Sequence, residues 1–462
     1  MKKNTALFAG VVSFVLLFYK QEVAMNLSIF SLLVWLVIFL VTGKKYYTNT
    51  FWWLSAAVFI CAGAFAWYGD FASFIALFFT LALFIIKTFY PKLNILAAPF
   101  IMLISGGTSL VRMLLVKNWI TLPKGVYNNF WRKAIAYVVV PLFFAIIFMG
   151  LYSIASQKFA SYLNFNWDLT NVGIIAGLSA LGFFFMFNFI HLFVPRFIVK
   201  ENYRLSDNFS SSGSRRRLLA VTSGGQSFQR RSGEISLILL NIILVFFILV
   251  YASESIQNLS PDISYSSEVH ERVYVIIGSI VIAVAIIMIY FYSPSNFGKE
   301  AKLLRILSYV WITLNAALVI IAMLKTGEYV AAYGLTFKRV GVYAFLILSL
   351  IGLVITSYKL MLVKTNIYLL NRMVWVFFAA MIIGFNINWS WVVTKYNITH
   401  QEKPDVGYLS TLDYNKKIMF ETFGDNQTWE ENYNSISELV RHEKNKSFLS
   451  SRLYYQFLNL KR

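Results

Sequence analysis

This chain is built around a series of apolar blocks with almost no charge, each about 15 to 24 residues long, the length a helix needs to cross about 30 Å of hydrocarbon. Lipid offers no hydrogen-bond partner to an open backbone amide, so such blocks must be helical. They run over Thr5–Tyr19, Asn26–Thr42, Phe51–Tyr68, Phe71–Ile86, Ala134–Ile154, Val172–Pro195, Ile235–Ser253, Val273–Ser293, Leu303–Leu324, Val340–Tyr358 and Asn366–Asn386. With 58% apolar and only 13% charged residues over 462 positions, a water-soluble fold is excluded. The expected fold class is all-α: a polytopic transmembrane helical bundle of about eleven spans with a small helical C-terminal domain outside the membrane. The first block resembles a signal peptide, but Lys20, Gln21, Glu22 and Val23 offer no small-x-small cleavage site, so it reads as a retained anchor.

Charge sets the expected orientation, because cationic loops resist translocation. With the N-terminus in the cytoplasm, every second loop is basic: Lys44 and Lys45, Lys87 and Lys92, Arg196 to Arg231, Lys299 to Arg305, Lys359 and Lys364. This asymmetry accounts for most of the net charge of +20. A nucleic-acid partner is therefore not needed, and the basic face is expected to attract anionic lipid headgroups. Leu93–Val116 has basic flanks on both sides. It reads as a re-entrant or interfacial segment broken at Ser105, Gly106, Gly107 and Thr108, which puts the C-terminus outside; a spanning segment would reverse that parity.

Four regions follow: 1–92, a four-helix transmembrane part; 93–133, the re-entrant or interfacial basic segment; 134–386, a seven-helix core carrying a mobile basic cytoplasmic loop over 196–234; and 387–462, the amphipathic C-terminal domain. In that domain Trp429, Tyr433, Ile436 and Val440 form one helical stripe, and Leu449, Leu453, Gln456 or Phe457, and Leu460 a second. A single cysteine, Cys61, excludes an intrachain disulfide.

No catalytic set is evident. Ser223-Gly224-Gly225-Gln226 resembles a transport-ATPase signature loop, yet no phosphate-cradling G-x-x-x-x-G-K-[ST] accompanies it. The four histidines are scattered and one thiol builds no zinc site, so neither metal nor cofactor is expected. Polar residues inside spans are functional candidates by default. Here they are Asn188 with His191, Asn241, Asn315 and Arg372, with interhelical hydrogen bonding as the plainer role and snorkelling for Arg372. The outer face offers a second set: Glu268, His270 and Arg272 on one loop, and Tyr333, Thr336 and Arg339 on the next, forming either solvated helix ends or a small polar recognition site.

Certain motifs carry a resemblance. Glu268-x-His270 opening one span, Tyr333-Gly334-Leu335-Thr336 with Arg339 opening another, Tyr396-Asn397, and Asp405-x-x-Tyr408-Leu409 in the tail are similar to a bacterial multi-pass inner-membrane family known only as a domain of unknown function, of the DUF four-one-seven-three type. The resemblance covers about 134–413 and implies a bacterial inner-membrane location without implying an activity. Three functions remain open: a non-enzymatic scaffold or envelope sensor engaging a periplasmic protein partner, a small-solute carrier or channel, and an enzyme acting on a lipid-linked substrate through Glu268, His270 and Arg339.

Overall fold

The computed structural model describes residues 3–114, 145, 149, 169–202, 204–209, 223–257, 265–423 and 430–459, with the side chains of 45, 114, 169–170, 223–226, 252, 254–257, 265–275 and 430–435 left aside. Among the described residues all regular structure is helical, apart from one isolated bridge between Asn208 and Lys364. Among the described residues, eight helices are long and apolar enough to cross a membrane, and three shorter apolar ones accompany them. The expected polytopic all-α bundle is what the chain forms. The span expected over Ala134–Ile154 lies outside the described residues, apart from 145 and 149.

The chain divides into two compact units: Met1–Lys92 with Ala98–Pro195 and Asn445–Leu453, and Leu93–Ala97 with Arg196–Lys444 and Tyr454–Arg462. In the first, α1 (Lys3–Phe18), α2 (Met25–Val41), α3 (Asn49–Tyr68) and α4 (Phe71–Phe89) run up and down, followed by α5 (Ala98–Leu114) and α6 (Leu169–Ile190). The turns are built from side chains that replace water at helix ends. Asn26 is fully buried after α1 and uses its whole amide: Oδ1 accepts from Ala24 N and Leu27 N, and Nδ2 donates to Leu17 O and Glu22 O. Gly69 ends α3 at φ 60°, and Asp70 at once caps α4 by accepting from Ser73 N. Helices α1 and α6 pack antiparallel and closely, Gly10 against Met186 and Gly182 against Phe14. Small residues permit that approach.

Helix α5 corrects the expectation of a break at Ser105–Thr108, because it runs unbroken through all four residues. Two glycines cost a helix about 1 kcal/mol each, whereas an unsatisfied backbone group in lipid costs several. The neighbouring hydroxyls also bond along the helix, Thr108 Oγ1 to Ile104 O at 2.6 Å and Ser109 Oγ to Gly106 O at 2.5 Å. Ile95–Met113 is long and apolar enough to span. Even so, the middle of α5 lies beside the end of α6: Ser105 Oγ donates to Asn188 Oδ1 at 3.3 Å and accepts from Phe193 N at 3.3 Å.

The second unit contains α7 (Arg196–Asn202), α8 (Ser223–Gln257), α9 (Tyr265–Tyr290), α10 (Lys302–Tyr333), α11 (Phe337–Met361) and α12 (Asn366–Asn386). Its core is Leu237, Ile280, Ala283, Leu304, Leu318, Leu346 and Leu353 with their neighbours. The basic loop expected to be mobile over 196–234 is folded at both ends. α7 opens it, Ser206 O and Asp207 O accept from Thr365 Oγ1 and N, and α8 begins at Ser223, with Arg230 paired to Glu300 at 2.6 Å. Residues 203 and 210–222, between those ends, lie outside the described residues.

The tail forms α13 (Trp389–His400), α14 (Val406–Ser410), α15 (Lys416–Phe423), α16 (Glu430–Lys444) and α17 (Leu453–Phe457). Ile436 and Val440 of the first expected stripe are a packed and a buried residue. The second stripe does not form one helix. A 3-10 turn at Phe448–Ser450 and an extended Ser451 interrupt it, since Ser447 and Ser450 place their hydroxyls on Gln21.

Candidate functional site

The turn joining α10 to α11 is where most of the quoted motifs meet. Helix α10 ends at Tyr333, and Gly334 follows at φ 79°, ψ 173°, a conformation that only glycine adopts without strain. Thr336 then caps α11 by accepting from Arg339 N at 3.4 Å. Between them lies Leu335, whose backbone is held in both directions by one side chain. Asn397 of α13 accepts from Leu335 N at 2.6 Å and donates to Leu335 O at 2.8 Å. Gln401 Nε2 donates to Ala331 O at 2.8 Å, and Phe337 N donates to the Tyr408 hydroxyl at 2.9 Å. Tyr408 is positioned in turn by Asp405, which caps α14 by accepting from Tyr408 N. A small apolar cluster of Val393, Leu409, Leu412 and Met419 lies beneath, with Leu335, Val340 and Tyr408 packed against it.

Arg339 is 7% exposed and points back onto the end of α10. Its Nη1 donates to Tyr333 O at 2.9 Å and to Gly334 O, and its guanidinium lies 4.2 Å from the Tyr329 ring centroid. A cation on the last carbonyls of a helix meets the negative end of its dipole, and an aromatic face adds a second attraction. Arg339 thus holds the turn through Nη1 and its ring contact, and its buried Nε has no partner among the described residues. Tyr333 contributes its carbonyl, and its ring is about half exposed beside Tyr329. The side chains of Glu268, His270 and Arg272 lie outside the described residues, so their relation to this turn is left aside.

Further into the tail, Asn415 donates to Thr394 Oγ1 and Leu409 O, both at 2.7 Å. Lys416 Nζ caps Ser410 O and Leu412 O. Burial holds this lysine below its ordinary pKa, and Asp413 opposes that shift.

The intramembrane candidates do different work. Asn241 Nδ2 donates to Leu307 O across to α10 at 3.1 Å, while Asn315 Nδ2 donates to Trp311 O on its own helix. Those hydrogen bonds go to helix carbonyls and not from one asparagine to the other. Arg372 is exposed, with its guanidinium 5.3 Å from the Tyr368 ring. Asn188 and His191 join a cluster that sequence reasoning missed, centred on Arg112. Its Nη1 donates to His191 O at 2.8 Å, its Nη2 to Ser105 O at 2.6 Å and, weakly, to Asn188 Oδ1 at 3.4 Å. The guanidinium lies between the Phe187 and Phe193 rings. Among the described residues no group of three or more His, Cys, Asp or Glu is placed to hold a metal ion.

Residues 8–417 match the family model described as Domain of unknown function (DUF4153). The finer likeness to the four-one-seven-three type gives way to that match. No curated protein and no solved structure matches the chain.

Proposed function

The chain belongs to the DUF4153 family, and from that premise we propose that it is a non-enzymatic scaffold or envelope sensor of a bacterial inner membrane. In this reading the N-terminus is cytoplasmic, and the C-terminal helical domain lies outside, where it engages a protein partner. The observation that carries the reading is the Asn397 amide on both backbone groups of Leu335. It makes the turn between two long apolar helices and the tail domain one mechanical piece, so a load on the domain is passed to α10 and α11. An enzyme centred on Arg339 needs that guanidinium accessible to substrate, whereas here it is buried, with Nη1 on two carbonyls and the group against a ring.

The orientation draws support from the first unit. Lys3 lies over the Phe89 ring at the end of α4, while Asn445–Leu453 packs at the opposite ends, on the turns after α1 and α3. The basic loops carrying Lys44 and Lys92 in the first unit, and Lys299 and Lys364 in the second, then each meet the anionic cytoplasmic leaflet. For the carrier alternative, the hydrogen bonds of Asn241 and Asn315 to helix carbonyls favour packing over a solute path.

The test is native mass spectrometry of the full chain extracted with its own lipids, beside Asn397→Ala. The expected result is a protein partner on the parent chain that is lost or strongly reduced on the variant, with anionic lipid retained by both. A bound small solute without a partner, or a partner held equally by the variant, would overturn the reading.

A further inference from the structure

A nine-residue piece of the tail behaves unlike its flanks. Asn445–Leu453 belongs to the first unit, although Lys444 before it and Tyr454 after it belong to the second. Its contacts are specific. Ser450 Oγ donates to Gln21 Oε1 at 2.7 Å and accepts from Glu22 N at 2.9 Å; Ser447 Oγ donates to the same Gln21 oxygen. Lys446 Nζ pairs with the Glu22 carboxylate at 2.9 Å, and Arg452 lies against Gly69, where an added Cβ would meet its Cγ at 3.1 Å. Two helix turns, one after α1 and one after α3, are thereby held by one short segment.

The chemistry of that hold is weak by design of its residues. Its polar anchors include hydroxyls, an amide and an ion pair whose lysine is 15% exposed and whose carboxylate is 70% exposed, an open side that water and salt can reach. Phe448, the largest apolar side chain of the segment, is turned outward and 65% exposed, and Leu449 and Leu453 are only half-buried, so little apolar burial locks it down. The turn at Gly334 is different, with its apolar cluster and paired amide.

We propose that Asn445–Leu453 is a releasable latch: a strap that closes on Gln21, Glu22 and Gly69 and opens without unfolding either unit. The inference stands apart from the identity of any partner, because it concerns only whether this contact exchanges. Opening lengthens the free chain after α16 and uncovers the two outer turns.

The full chain in nanodiscs tests it by carbodiimide coupling, which condenses a carboxylate and an amine in contact into an amide. The Glu22–Lys446 adduct is expected at low salt and is quantified against Lys417–Glu421, a pair one turn apart on α15 that stays close whether or not the latch opens. Raising salt to about 1 M, where screening acts within about 3 Å, is expected to lower the Glu22–Lys446 to Lys417–Glu421 ratio at least about three-fold. Gln21→Ala is expected to lower it at low salt as well. In parallel, Ser447→Cys with Cys61→Ala is expected to react faster with a maleimide as salt rises. Absence of the Glu22–Lys446 adduct while the control forms would show that the latch does not close. A ratio and a labelling rate both indifferent to salt and to Gln21→Ala would show a permanent contact, and either result overturns the proposal.

Discussion

Placing a methyl group on Gly334 is the sharpest perturbation of the clamp between the membrane helices and the tail. At φ 79° and ψ 173° a non-glycine residue pays about 1–3 kcal/mol in backbone strain. The added Cβ also falls 2.5 Å from Asn397 Oδ1, so that amide must leave. Its two hydrogen bonds to Leu335 are worth about 0.5–1.5 kcal/mol each. Gly334→Ala should therefore cost about 2–6 kcal/mol locally, and Asn397→Ala about 1–3. Hydrogen exchange at the Leu335 amide reads this directly, with about tenfold faster exchange per 1.4 kcal/mol of lost local stability. The double variant is the decisive arm. Once the amide has been expelled, deleting it costs nothing more, so Gly334→Ala with Asn397→Ala should exchange no faster than Gly334→Ala alone. Costs that add to within about 0.5 kcal/mol would refute the geometry, because independent sites add and coupled ones do not.

Further outcomes are expected elsewhere. At the crossing of α1 and α6, Gly182→Val should lower thermal stability by about 1–3 kcal/mol through overpacking on the Phe14 stem, while Gly10→Ala should cost less because Met186 is flexible enough to swing aside; equal losses would argue against this packing. Arg112→Lys should loosen α5 from the end of α6, since one ammonium does not reproduce a fork reaching both His191 O and Ser105 O, and a cysteine placed at Leu110 should show altered labelling. For Lys416, burial lowers the folded pKa, so the unfolded chain binds the proton more tightly. Stability of the tail should then rise with pH through the window between that lowered value and the ordinary 10.5, and Lys416→Met should flatten the rise.

The long helices were legible because lipid leaves an apolar block only one way to satisfy its backbone. Several of their starts were legible in kind as well, since Thr48, Asp70, Thr365 and Asp405 are residue types that cap helices and each does so. Where reading failed, a competing local interaction had won. Gly106 and Gly107 suggest a break, but the adjoining hydroxyls and the cost of bare amides keep α5 continuous. The apolar spacing of Leu449, Leu453 and Phe457 suggests a helix, but Ser447 and Ser450 are drawn to Gln21, more than 400 residues earlier, which no local pattern reveals. The candidate site was half visible. Tyr333, Thr336 and Arg339 were singled out and Asn397 stood in a quoted motif, but Asn397 and Gln401 lie 62 and 70 residues beyond their partners, and only the fold brings α13 to the turn.

In the proposed orientation the tail domain, clamped to the turn after α10, lies on the side of the membrane opposite the basic loops. Labelling of single cysteines in intact cells with a membrane-impermeant maleimide tests this, in a Cys61→Ala background, at Asp413→Cys in the tail and Lys299→Cys in a basic loop. The tail cysteine is expected to react at once, and the Lys299→Cys protein only after the cells are permeabilised. The reverse pattern, or reaction of both before permeabilisation, would contradict it.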